Sequence, residues 1–184
     1  MFCLWIFAVP VITQFILQTG GDGRAYHAGL IAVSACFALY ALLAAVLAFS
    51  LPILLQRFKA GTIYGFALLI GAAGIGLLGI ADTPWILVPA FVGIGVGWSA
   101  MSNLPYALAG AAAREGRGAY TLRLFGFSTV IPQIATTLLL AAVAAPIFGE
   151  ALNRIMLVGC ALMALGGCVA LGARHRFDLP AESW

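Results

Sequence analysis

Polar and charged positions fall at intervals along this chain, and between them lie six runs made almost wholly of apolar residues. The runs cover residues 2–18, 28–55, 62–81, 85–109, 120–144 and 151–172. About 20 apolar residues wound as a helix cross the ~30 Å hydrocarbon layer of a bilayer. In lipid the backbone must satisfy its own hydrogen bonds, which a helix does within the segment. The pattern therefore predicts an all-α membrane protein of six transmembrane helices joined by short loops. The breaks carry turn chemistry: Gly20, Gly21, Asp22 and Gly23; Gln56, Arg57 and Lys59; Asp82, Thr83 and Pro84; Arg114 to Arg117; and Pro146 to Glu150. Residues 1–184 are expected to form a single six-helix transmembrane domain. The first run starts directly after Met1, with no basic stretch ahead of it and no small-residue cleavage site behind, so it does not have the form of a signal peptide. The expectation is a first helix truncated at its N-terminus.

Composition sharpens this picture. The chain is 64% hydrophobic and 8% charged, against about 45–50% and about 25% in soluble domains, which excludes a water-soluble fold. The net charge of +3 comes from nine Lys and Arg against six Asp and Glu. Cations so few and scattered make no nucleic-acid surface, but they do report topology. Seven of the nine, Arg57, Lys59, Arg114, Arg117, Arg123, Arg174 and Arg176, follow the second, fourth and sixth runs or begin the fifth. Arg24 and Arg154 share the other side with Asp22, Asp82 and Glu150. Both termini are thus expected in the cytoplasm, with the protein integral to the cell membrane and surrounded by lipid. The cysteines Cys3, Cys36, Cys160 and Cys168 lie in apolar stretches without metal-ligand spacing and read as small buried hydrophobes.

Polar side chains gather on particular runs. Gln14 and Gln18 are four apart in the first run, which also holds Pro10; Ser99, Ser102, Asn103 and Tyr106 follow the i, i+3, i+4, i+7 pattern of one helix face in the fourth; Thr129, Gln133, Thr136 and Thr137 share a face of the fifth. The second run has a sparser set, His27, Ser34 and Tyr40, and the third and sixth are plain, as lipid-facing supports would be. Taken in threes, the runs resemble a 3+3 repeat, an arrangement that in transporters brackets a site near the midplane. Gly74, Gly76 and Gly79 spell a dinucleotide fingerprint but sit within an apolar helix, where glycine serves close helix packing, as it does at Gly61/Gly65 and Gly93/Gly97. His27 and His175 lack the spacing of a zinc site, and no serine elbow or paired base is present, so no enzyme, metal or other cofactor is expected.

The segment 95–108, with Gly97, Trp98, Ser99, Ser102, Asn103, Pro105 and Tyr106, resembles the tenth helix of major facilitator superfamily sugar carriers, and most nearly the glycoside:cation symporters that carry sucrose or maltose. Trp5, Pro10 and Gln14 are similar to the seventh helix of that group, and Pro132 and Gln133 to its eleventh. The resemblance implies the C-terminal six-helix half of a secondary active sugar transporter, with the first and fourth runs lining a central cavity. It departs from the group at Asn103, where Ser or Leu is usual, and at Arg123 and Gly126, where Gly and Asn are. Hydroxyl-rich rings call for amides that donate and accept, and for aromatic faces. Gln14, Asn103 and Gln133 offer the first, and Trp98, Tyr106 and Phe125 the second. All six acids lie in loops or the tail, so cation coupling would reside in an N-terminal six-helix half, from the same gene or another chain. The competing expectation is a stand-alone small membrane protein, either a homodimeric half-size carrier or a structural helix bundle.

Overall fold

Where the side chains are smallest, the helices come closest, and these approaches organise the bundle. The computed structural model describes residues 8–16, 23–112 and 152–173, together with 123, 126–127, 130–131, 133–135 and 137–138; within these, 14–16, 23–26, 28, 108–112 and 152–153 are described by their backbone alone. Apart from short turns, the described residues are helical. A π-helical stretch, α1 (Val11–Ile16), continues the helical residues 8–10. It is followed by α2 (Gly23–Arg57), α3 (Ala60–Gly79), a 3-10 turn at Pro84–Ile86, α4 (Leu87–Ala112) and α5 (Leu152–Gly172). Four segments are long and apolar enough to span a membrane: Gly29–Arg57, Ala60–Gly79, Pro84–Ala107 and Arg154–Gly172. The protein is a helical membrane protein.

Helix α3 lies against both α4 and α5. A methyl group built on Gly74 would stand 2.5 Å from the Ala90 carbonyl oxygen, and one on Gly71 2.9 Å from Gly97 Cα, so α3 and α4 touch backbone to backbone. On its other side, methyls on Gly65 and on Gly167 of α5 would each come within 3.1 Å of the opposite glycine's carbonyl oxygen. Met163 of α5 reaches the junction of all three helices, its Cε 2.5 Å from a methyl on Gly71 and 2.7 Å from one on Gly97. Lipid tails are as apolar as leucine, so dispersion contacts made possible by such close approach, rather than expulsion of water, hold membrane helices together. The third run is therefore no peripheral support. Half of its span is buried, as much as in α4.

Around this centre pack Leu68, Ile75, Leu78, Phe91, Ile94 and Met156, with Ala8, Val11 and Ile12 of the first run also fully enclosed. Helix α2 is attached differently. It meets α4 where a methyl on Gly95 would lie 3.1 Å from the Tyr40 carbonyl oxygen, and it barely touches α3. Most of its outer face, including Ile31, Leu42, Val46, Phe49 and Ile53, is exposed, as lipid contact would require. Helices α2, α3 and α4 meet at one end, where Leu51, Ala60 and Leu104 form a small second core.

Candidate functional site

Helix α4 carries the polar face seen in the sequence, and burial changes along it. Ser99 is only 2% exposed, Ser102 is half-buried, and Asn103 and Tyr106 are exposed, Tyr106 by 55%. Asn103 Nδ2 donates to the Ser99 carbonyl oxygen at 2.7 Å. Pro105 has no N–H and so frees the Met101 carbonyl one turn back. Side-chain amides in an apolar span are costly unless they meet water or a polar partner. One N–H of Asn103 meets its own helix, and its carbonyl oxygen and second N–H have no partner among the described residues.

The other candidates do not all share that face. Trp98 is half-buried and stands about 140° round the helix from Asn103 at 3.6 residues per turn. Its ring lies 6.3 Å from that of Tyr40, tilted by 56°. Tyr40 meets Phe37 edge-on at 6.1 Å, and Phe37 meets Phe91 likewise at 5.3 Å. These four rings form the α2–α4 seam, so Trp98 is turned toward α2, and Asn103 and Tyr106 are left together on the open face. Gln133 is half-buried in the fifth run, and its backbone carbonyl oxygen accepts a 2.9 Å hydrogen bond from Thr137 Oγ1. The backbone of Gln14 belongs to α1, while its side chain, and Phe125 altogether, lie outside the described residues.

Nothing in the sequence pattern anticipates the surroundings of Ser99. Thr13, Ser34, Ser50 and Thr137 all donate to the carbonyl four residues back, at 2.8–2.9 Å. The Ser99 hydroxyl is buried with no partner among the described residues. The residue lines a groove of about 60 Å³ between α2, α3 and α4, whose other walls include Leu51, Leu54, Ile63, Ala67 and Ala100, while its hydroxyl oxygen is itself enclosed. Its place on the polar stripe is the only signal in the sequence, and that stripe points toward Asn103 rather than into this groove.

The cysteines are free where described: Cys36 and Cys160 are half-buried, whereas Cys168 is exposed on α5, which departs from the expectation of a buried hydrophobe. Compared with known protein families, curated proteins and solved structures, the chain matches none.

Proposed function

We propose that this chain is the C-terminal half of a secondary active carrier for a sugar or similarly hydroxyl-rich solute, working with an N-terminal six-helix half that holds the cation-coupling site. In this reading the six runs form a 3+3 repeat of the major facilitator kind, and Asn103 and Tyr106 face a wet cavity between the halves. The supporting observation is Asn103, an exposed amide on an apolar span that spends one N–H on Ser99. A cavity that admits water and hydroxyls would satisfy the remainder. Gln14, Trp98, Phe125 and Gln133 join the proposed substrate set through the family resemblance. The cell membrane, with both termini cytoplasmic, follows from the cation distribution.

The experiment is sugar uptake by cells producing the full carrier. Asn103→Ala and Gln133→Ala should each weaken transition-state or substrate binding by about 1–3 kcal/mol, the cost of a lost buried hydrogen-bonding partner, at unchanged membrane abundance. Uptake untouched by both changes would reduce the two amides to packing groups.

A second reading is favoured by Tyr106, one residue before the end of the apolar span Pro84–Ala107. Tyrosine at that depth is a common interfacial anchor. There the chain would be a stand-alone small membrane protein, either a homodimeric half-size carrier or a structural helix bundle, and in the bundle Tyr106→Phe would lower membrane stability without any transport defect to measure.

A further inference from the structure

Apolar side chains make up what can be reached in the groove between α2, α3 and α4, since the one polar residue in its walls, Ser99, has its hydroxyl oxygen enclosed. Leu47, Leu54, Ile63 and Val96 are only half-buried, which leaves one side of the groove open. A buried water takes about three polar partners, which these walls do not offer. A helix with its side chains is ~10–12 Å across and does not enter a groove of about 60 Å³. An unbranched hydrocarbon tail meets both limits. Leu54 and Leu47 lie three and ten residues before Arg57, about 4.5 and 15 Å along the helix axis at 1.5 Å per residue. The groove thus follows one leaflet of a ~30 Å hydrocarbon layer. Its shallow end adjoins the α2–α3 turn. Phe58 N–H donates to the Leu54 carbonyl oxygen at 2.9 Å, and Ile63 N–H donates to that of Lys59 at 3.1 Å. The exposed residues Arg57, Phe58 and Lys59 therefore stand one helical turn from both walls.

We infer that the groove and the α2–α3 turn form one binding site for an anionic phospholipid, with an acyl tail along Leu47, Leu51 and Leu54 and the phosphate at Arg57 and Lys59. The two features lie in the order that a lipid presents them, charge at the boundary and hydrocarbon below. The paired cations select the lipid class: guanidinium and ammonium groups bind phosphate, and in a choline lipid the headgroup's own cation competes with them. Ile53 of α2 and Phe66 of α3, both exposed and apolar, keep the surroundings of the groove suited to the bilayer. This site uses neither Asn103 nor Tyr106, and it holds whether or not the chain transports a sugar.

The test uses the full chain in phosphatidylcholine vesicles with a trace of phosphatidylglycerol that carries a diazirine midway along one tail, and mass spectrometry to locate the adducts. Adducts should concentrate on residues 47–54 and 63–67. The same diazirine tail on phosphatidylcholine should label these residues at least ~5-fold less, the contribution of a single cation near the membrane surface. Arg57→Gln combined with Lys59→Gln should bring the two tracers level. Ala67→Leu and Leu54→Trp, which fill the groove from α3 and from α2, should each remove the groove adducts. Three results would overturn the inference. Adducts no denser in the groove than at exposed Leu165 and Val169 of α5, which lie at similar depth because Gly167 meets Gly65, would mean boundary lipid only. A preference for phosphatidylglycerol that survives loss of both cations would place the headgroup elsewhere. Groove adducts undiminished in both filled variants would place the tail elsewhere. Both cations are exposed, so the charge variant leaves the helix packing intact and decides the matter without any change to the core.

Discussion

At the residue scale, glycine has two different meanings in this chain, and neighbouring positions separate them. Gly167 is buried, and a methyl there would stand 3.0 Å from Leu69 side-chain carbons and 3.1 Å from the Gly65 carbonyl oxygen. Gly166, one residue earlier, is exposed and has only Leu68 Cδ1 at 3.9 Å, an ordinary contact. Gly166→Ala should therefore be neutral or stabilise α5 by up to ~1 kcal/mol through helix propensity. Gly167→Ala should cost about 1–3 kcal/mol by forcing α3 and α5 apart. Reversible unfolding in mixed micelles would measure both, and equal effects would refute the close approach of these helices. Gly74→Ala should be at least as damaging as Gly167→Ala, because its methyl would meet backbone atoms of α4 that cannot swing aside.

Among elements, α3 and α5 offer a direct check of register. A methyl carbon on Gly76 would lie 3.8 Å from Cys160 Cβ, within the separation that disulfides span, and 3.0 Å from its sulfur. Gly76→Cys should thus form a disulfide with Cys160 on mild oxidation, shielding that thiol from a maleimide while exposed Cys168 remains reactive. A protein with both thiols still open to the reagent would contradict this packing. The same pair of helices marks the limit of reading the sequence. The bounds of the second, third, fourth and sixth runs are matched by helices to within a few residues, because length and apolarity alone decide what spans a bilayer. Which helix is central is not legible in the polarity pattern. Absence of polar residues marks the third run as peripheral, yet in lipid burial follows small side chains, and α3 owes its central position to Gly65, Gly71 and Gly74. Trp98 shows the same limit at the candidate site: its spacing places it on α4, but only the positions of Tyr40 and Phe37 across the seam reveal that its ring faces α2.

For the whole molecule, the unequal distribution of charge sets the expected orientation. Arg57 and Lys59 are exposed at the α2–α3 connection, and Asp82 is exposed at the far end of α3. In a background lacking the native cysteines, Asp82→Cys should react with an impermeant thiol reagent added outside cells, while Lys59→Cys should react only after permeabilisation; reversed labelling would invert the topology. Function at this scale depends on what faces the bundle. Alternating access requires two bundles that rock about a shared site. In the proposed half-carrier this chain would supply one, with Asn103 and Tyr106 on an open face and α2 offering mainly apolar side chains outward. No acid is positioned inside an apolar run to carry a coupling proton, since Asp82 lies in a turn and the other five fall in breaks or the tail. Vesicles containing only this polypeptide should therefore show no proton-driven accumulation of a disaccharide, and production together with a complementary N-terminal half should restore it. Accumulation by the chain alone would replace the half-carrier with a homodimeric one, and its coupling group would then have to be found among His27, Arg123 or a bound ion.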